Sequence, residues 1–127
     1  MGITMEQCEN VYNTVKTTGK YYTIGFNRRF SPQVQIVKEL LSNRTNPIIL
    51  NYRIASTYLP GTHWMYDSNI GGGPLIGELC HFTDLILYLI NSDPIELIAK
   101  GGNLSHKNID TYDNCVEIGR ASCRERV

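Results

Sequence analysis

The sequence predicts a mixed α/β fold in which one helix–strand step is followed by helices packed on a partial, mainly antiparallel sheet. Residues 4–26 carry a helical pattern, a glycine and a short strand pattern, an order typical of a parallel sheet. Residues 48–55 alternate with period two, which is typical of an antiparallel strand with one exposed face. Residues 74–90 are apolar on nearly every side, which is the pattern of a buried helix.

The first helix is predicted over residues 4–16, where apolar side chains recur at helical spacing: Cys8, Val11, Tyr12 and Val15. Thr4 and Gln7 have the spacing of a capping box, and Gly19 is suited to end the helix. Residues 21–26 are rich in aromatic and β-branched side chains and predict a short strand. We expect the other strands of this parallel sheet to lie outside the chain.

The second helix is predicted to begin with Ser31 as the N-cap and Pro32 in the first turn. Its predicted buried stripe consists of Val34, Val37, Leu40 and Leu41. It ends before the alternating strand at residues 48–55. After the third helix, residues 95–99 and 114–118 predict two more strands.

A long loop over residues 59–73 ends in three consecutive glycines and carries several chemically useful side chains: His63, Trp64, Tyr66 and Asp67. Loops of about 15 residues within compact domains are usually functional, although this loop could also be a surface excursion. Upstream, Arg28 and Arg29 could bind a phosphate or a carboxylate in bidentate fashion, or could be a solvated pair at the entry to a helix.

The third helix carries a polar stripe on an otherwise apolar surface. His81, Asp84 and Tyr88 fall within about 60° of one another on a helical projection, and Glu78 precedes His81 by three positions. A carboxylate beside a histidine fixes its orientation and suits it to general acid–base work on a hydroxyl. The alternative is a helix packed on a sheet, with these polar groups satisfied by backbone.

Composition excludes several classes of function. Twelve basic and twelve acidic residues give zero net charge, which argues against binding to nucleic acid or to an anionic membrane. No apolar run reaches the roughly 20 residues of a membrane span, and no signal peptide is recognisable, so we expect a cytoplasmic protein. Four cysteines lack metal-knuckle spacing, and we expect no metal site. Neither GxGxxG nor GxxxxGK[ST] occurs.

Three segments, in this order, resemble the Gfo/Idh/MocA oxidoreductases: GFNRRFSP at 25–32, HWMYD at 63–67 and GGGPLIGELCHFTD at 71–84. The resemblance covers about residues 4–116 and is nearest to the branch associated with sugar nucleotides and surface polysaccharides. It implies a Rossmann domain that binds NAD or NADP, and a second domain that binds substrate and often forms the oligomer interface. The implied reaction is hydride transfer between nicotinamide and a sugar, sugar nucleotide or polyol.

The resemblance also implies roles for individual residues. His81 matches the histidine that handles the substrate hydroxyl proton, with Asp84 one turn later. Many members carry an acidic residue four positions before this histidine, where this sequence has Gly77, and we assign part of that role to the adjacent Glu78. We assign substrate contacts to Trp64, Asp67, Arg53 and Tyr88, and cofactor contacts to Asn27 and Arg29.

These expectations divide the chain into three parts. Residues 1–30 match the end of a Rossmann domain, and residues 31–116 match part of the substrate and oligomerisation domain. Residues 117–127 contain three arginines without an apolar period and resemble a translated sequencing adapter, so we expect a non-native tail. We therefore expect a fragment that is inactive alone and whose intact parent is a homo-oligomer. The alternatives are a non-catalytic binding or oligomerisation module and a metal-dependent hydrolase.

Overall fold

The computed structural model describes residues 2–121, which form three α-helices followed by two antiparallel strands. The elements in chain order are α1 Met5–Thr18, α2 Pro32–Ser42, α3 Cys80–Ile90, β1 Pro94–Gly102 and β2 Asn114–Ala121. Short 3₁₀ turns lie at Asn27–Phe30 and Trp64–Tyr66, and a π-helical turn at Leu75–Leu79 leads into α3. The predicted combination of helices with antiparallel strands is confirmed as an α+β fold.

The ends of α1 follow the predicted capping chemistry. The Thr4 hydroxyl accepts a hydrogen bond from the Gln7 amide at 3.2 Å, and the Gln7 side chain accepts one from the Ile3 amide at 2.8 Å. Gly19 ends the helix in the left-handed conformation, with φ 64°, and its amide donates to the Val15 carbonyl at 3.0 Å. These reciprocal bonds satisfy groups that a helix end otherwise leaves unpaired.

Helix α2 begins where predicted, but the set of side chains that it half-buries differs from the predicted one. Ser31 occupies the N-cap position and Pro32 follows, although the Ser31 hydroxyl donates to Gln33 instead of capping the helix. The predicted buried stripe is wrong, because Leu40 is 74% exposed and no residue of α2 is buried. The half-buried face contains Val34, Lys38 and Leu41.

Two cations contact the C-terminal end of α3: Lys38, on this face of α2, and Arg44, just after the helix. The Lys38 ammonium donates to the Tyr88 carbonyl, and Arg44 donates to the Ile90 carbonyl at 3.0 Å. The last carbonyls of a helix lack intrahelical partners and carry partial negative charge, so both contacts stabilise this end. Asn91 then ends the helix in the left-handed conformation, with φ 52°.

The predicted strands at residues 21–26 and 48–55 are not strands in the structure. Both segments lack regular secondary structure and pair with no strand among residues 2–121, and Ile49 is fully exposed. A strand pattern in the sequence produces a strand only where a neighbour completes the backbone hydrogen bonds. The first segment bends instead, since the Asn27 amide donates to the Gly25 carbonyl at 2.8 Å.

Strands β1 and β2 confirm the two predicted strands near the end of the chain and extend beyond them. They pair antiparallel with Ile98 opposite Ile118, and the register shifts between Pro94 and Glu96. Residues 117–121 belong to β2, whereas 122–127 lie outside the described residues, so the predicted non-native tail stays a prediction.

The loop between β1 and β2 is organised by one carboxylate. Asp113 accepts hydrogen bonds from three backbone amides at 2.7–2.8 Å, those of Leu104, Ser105 and His106. Burial alone would raise the pKa of Asp113, but these bonds and one from the Asn114 side chain outweigh it and lower the pKa to about 2.

The core is small and centres on α3. Phe82 and Leu85 are 7% and 4% exposed, while the other apolar side chains of α3 are half-buried, so the predicted buried helix is only partly enclosed. The accessible surface is 10184 Å², compared with roughly 6,800 Å² for a compact monomer of this size. The fold therefore leaves much apolar surface uncovered. None of the helices within residues 2–121 has the length and apolarity needed to span a bilayer.

Replacing Asp113 by Asn should destabilise the protein in a pH-dependent way. Because the folded pKa lies below the ordinary 3.8, the ionised carboxylate stabilises the fold above that pH and loses this effect as pH falls towards 2. We expect a loss of about 2 kcal/mol in the free energy of unfolding at neutral pH, measured in urea, that shrinks below pH 4. Asp110→Asn, at an exposed carboxylate in the same loop, is the matched control and should change little. A difference that is independent of pH would contradict this assignment.

Candidate functional site

Two segments far apart in the sequence meet on α3. The 3₁₀ turn Asn27–Phe30 lies against this helix, and the Phe26 ring meets the His81 ring edge-on, with centroids 5.4 Å apart. The turn lies within residues 25–32, the first of the three segments that resemble the oxidoreductase family, and His81 lies within residues 71–84, the third.

Arg29 and Asp84 make the closest contact between these segments. Arg29 Nε donates to Asp84 Oδ2 at 2.9 Å, and a terminal nitrogen donates to Oδ1, so the pair is bidentate. The Asp84 side chain is only 11% exposed. The hydrogen bonds with Asp84 raise the pKa of the Arg29 guanidinium. We predicted that Arg29 binds the cofactor and that Asp84 is catalytic, but in the structure the two side chains pair with each other.

Arg28 has a looser arrangement. Its terminal nitrogen lies 3.7 Å from Glu78 Oε2, and the two side chains are 41% and 46% exposed. Such exposed pairs contribute about 0–1 kcal/mol. The Arg28 guanidinium lies 4.2 Å from the centre of the Phe82 ring, and its Nε is buried without a hydrogen-bond partner in residues 2–121.

His81 lies between these two pairs along the helix. It is half-buried, and its Nδ1 is enclosed without a hydrogen-bond partner in the described part of the chain. The expected carboxylate beside the imidazole is missing, because Glu78 and Asp84 both face arginines. Phe26 limits the orientation of the ring instead. The catalytic roles of these residues stay predictions.

The remaining predicted residues are spread around this point. The Tyr88 hydroxyl donates to the Gln35 side chain at 3.2 Å, and the Tyr88 ring lies 5.0 Å from the Arg29 guanidinium. Asn27 begins the 3₁₀ turn and is exposed, and Arg53 is exposed on the irregular segment 48–55. The segment nevertheless reaches α3, since the Tyr52 and Phe82 rings lie 5.6 Å apart.

The loop that carries Trp64 and Asp67 is folded on itself. Trp64 is exposed, and its ring lies 5.5 Å from the His63 ring. The Asp67 carboxylate accepts from the Asn69 amide at 2.8 Å, and the Asp67 carbonyl accepts from the amides of Ile70, Gly71 and Gly72. Asp67 thus shapes the loop, whereas the Trp64 ring remains exposed.

The glycine run serves close packing. The amides of Gly71 and Gly72 donate to Asp67, and that of Gly73 donates to the Met65 carbonyl, all at 2.9 Å. Gly73 has φ 90°, and a Cβ there would lie 2.6 Å from Thr111 Cβ. All three amides are therefore engaged, and the run cannot hold a pyrophosphate. With no GxGxxG in the sequence, the described residues do not fit the phosphates of a dinucleotide.

An aromatic cluster around His106, which we did not foresee, holds this loop against the β1–β2 loop. His106 stacks on Tyr58 with ring centroids 5.1 Å apart and contacts Tyr66 at 4.6 Å. Its side chain is 8% exposed, and Nδ1 lies 3.6 Å from an Asp113 oxygen. Burial raises the pKa of the Tyr66 phenol. The cluster had no sequence signal, because its residues have no regular spacing and meet only through loop packing.

An open cavity of about 70 Å³ lies at the ends of α2 and α3. It is lined by Lys38, Leu41, Ser42, Arg44, Leu89, Ile90 and Asn91. The two cations in its wall already bind the carbonyls at the end of α3. We therefore place the candidate site at His81 and Arg28, where polar atoms lack partners, and not in this cavity.

Within residues 2–121, no group of three His, Cys, Asp or Glu side chains is placed to hold a metal ion, and Cys8, Cys80 and Cys115 are free thiols. Comparison of the chain with protein-family models, curated proteins and solved structures gives no match.

Gly73→Ala should destabilise the protein, because the added Cβ would clash with Thr111 and L-residues rarely adopt this φ. We expect a loss of about 2 kcal/mol in the free energy of unfolding, measured in urea. Gly77→Ala is the matched control, since a Cβ there meets nothing within 4 Å and favours the helix by roughly 0.5 kcal/mol. Equal stability of the two variants would contradict the tight packing of the glycine run.

Proposed function

We propose that this chain forms part of the substrate-binding half of an NAD(P)-dependent oxidoreductase that acts on a sugar, sugar nucleotide or polyol. The observation that supports the proposal is the contact between two of the family-like segments, where Phe26 and Arg29 meet His81 and Asp84. In this interpretation residues 1–30 end a Rossmann domain and residues 31–116 begin the substrate domain.

The chemistry assigned to this chain is proton transfer at His81. His81 is half-buried beside the Phe26 ring, and its Nδ1 is buried without a hydrogen-bond partner in residues 2–121. In the proposal His81 accepts the proton of the substrate hydroxyl that becomes a carbonyl. Arg29 and Asp84 fix the helix against the preceding turn, and the exposed Trp64 ring offers a flat apolar face to a sugar.

Cofactor binding is assigned to residues outside this sequence. The glycine amides are engaged within the loop, and Arg29 is occupied by Asp84. The purified chain should therefore bind neither NADH nor NADPH tightly and should not catalyse the reaction alone.

A second candidate function is a non-catalytic association module, which the uncovered apolar surface favours. The two-stranded sheet exposes Ile98, Val116 and Ile118, and an isolated pair of strands is only marginally stable. Such a surface is typical of an interface with further strands or with other copies. In the oxidoreductase interpretation this surface belongs to the homo-oligomer of the intact parent.

Titration of the labelled chain with glucose and with myo-inositol tests the enzymatic proposal. We expect saturable shifts of the His81 ring signals in NMR spectra, and binding at least about tenfold weaker in His81→Gln. Titration of the same chain with NADH, followed by fluorescence, should show no saturable binding.

If the chain is instead a non-catalytic association module, it should bind no sugar at His81. If no sugar shifts the His81 signals, or if NADH binds tightly, the proposal is wrong. If His81→Ala changes the elution volume in size-exclusion chromatography, the residue serves assembly and not a ligand site.

A further inference from the structure

We propose that two copies of this chain pair through the free edge of β1 and form one four-stranded antiparallel sheet, with a twofold axis at Ile98. The partner is a second copy of this chain, in a single register. The inference goes beyond the proposed function and does not depend on it, because it rests on the two strands and not on His81.

Strand β1 has one edge that no strand covers within residues 2–121. Its partner there is β2 alone, and residues 94–101 are exposed. Leu97 and Ile98, on opposite faces of the sheet, are 59% and 62% exposed. A pair of strands by itself is only marginally stable, and an uncovered edge is a template for a further strand.

The backbone groups of the odd-numbered residues of β1 point to this free edge. The carbonyl oxygens of Glu96 and Asn114 reach across between β1 and β2, since they lie 3.5 Å and 2.8 Å from where a Cβ on Gly119 and Gly101 would be. Successive residues of a strand direct their hydrogen-bonding groups to alternate sides. The even-numbered residues therefore bond to β2, and those such as Leu97 face outwards.

One register gives every residue at the centre of this edge a suitable partner. In an antiparallel pair centred on Ile98, this residue lies opposite its own copy, Glu96 lies opposite Lys100, and Leu97 lies opposite Ala99. Opposite charges and apolar pairs that face each other directly stabilise paired strands. Moving the centre by one residue in either direction puts each charge opposite an apolar residue or a glycine. A lysine on an edge strand usually opposes pairing, but here each copy supplies its acidic partner.

The same register continues the contacts that β1 already makes with β2. Ile118 lies opposite Ile98, so the four strands carry an unbroken row of four isoleucines across the axis. Arg120 Nε donates to the Glu96 carboxylate at 3.2 Å, so each Glu96 lies between Arg120 of its own chain and Lys100 of the other. The second copy therefore extends both an apolar row and a row of alternating charges.

The free edge of β2 offers no comparable register. Its charged residues, Glu117 and Arg120, are three positions apart and lie on opposite faces of the sheet. Residues that face each other across a twofold antiparallel pair lie on one face, so these two charges cannot meet. Centring the pair on Glu117 would put two carboxylates opposite each other. The charge pattern therefore selects the edge of β1.

Charge reversal on the full chain tests the register, with sedimentation velocity over a concentration series as the measurement. We expect the unmodified chain to dimerise. Lys100→Glu and Glu96→Lys should each raise the dimer Kd at least about tenfold, because each puts like charges opposite each other at two places. An equimolar mixture of the two variants should recover the unmodified Kd to within about threefold, since every charge then faces its opposite. Lys107→Glu, at an exposed lysine in the β1–β2 loop, is the matched control and should dimerise like the unmodified chain.

A disulfide across the axis tests the same geometry independently. Because the backbone groups of Ile98 point to β2, its two copies form a non-hydrogen-bonded pair with Cα atoms about 4.5 Å apart, which is within disulfide range. Ile98→Cys should form a linked dimer when oxidised with glutathione disulfide. Ile118→Cys, which is similarly exposed on the same face, is the matched control and should give no more linked dimer than the unmodified chain with its own thiols.

Three results would overturn the inference. A monomer at every concentration would remove the dimer. A dimer that neither charge reversal weakens, or a mixture that stays monomeric, would mean that the copies do not meet in this register. Slow hydrogen exchange at the Leu97 and Ala99 amides of a monomer would mean that another segment, such as residues 48–55, covers the edge. None of these results changes the response of His81 to sugars, so the two proposals fail separately.

Discussion

The bidentate pair between Arg29 and Asp84 is the contact on which the arrangement around α3 depends. It joins positions 55 residues apart, and the Asp84 side chain is nearly buried. Phe82 and Leu85 are the only buried hydrophobic residues among residues 2–121, so apolar packing alone gives weak control over how the turn Asn27–Phe30 sits on the helix. A planar, two-point ion pair supplies the missing orientation. The places of Phe26 and Arg28 beside His81 follow from it, since both flank Arg29 in the chain.

The second half of the arrangement depends on backbone packing. The glycine run lies against Met65 and Thr111, and the Thr111 hydroxyl donates to the Tyr66 carbonyl at 3.1 Å. His106 adds an aromatic contact between the same two loops. The start of α3 and the exposed Trp64 are therefore connected through the β1–β2 loop, which Asp113 organises. The glycines serve this packing.

Local signals in the sequence predicted α1, α3 and the two late strands well, because caps and periodicity act over a few residues. The predicted strands at 21–26 and 48–55 failed since pairing depends on distant partners that the pattern does not reveal. The stripe of α2 failed because Lys38, not Leu40, faces α3, where it binds a terminal carbonyl. At the site, spacing put two acids on the same helical segment as His81, but it could not show that both face arginines instead of the imidazole. The doublet Arg28–Arg29 likewise gave no sign that Arg29 forms a bidentate pair with Asp84, whereas Arg28 makes only a loose contact with Glu78.

A double-mutant cycle on Arg29 and Asp84 tests the central claim most directly. The free energies of unfolding of Arg29→Gln, Asp84→Asn and the double variant, measured in urea, give the coupling between the two side chains. The account predicts a coupling of about 2 kcal/mol for this pair, and less than about 0.5 kcal/mol for the same cycle on Arg28 and Glu78. A coupling near zero for Arg29 and Asp84, or one equal to that of Arg28 and Glu78, would contradict it.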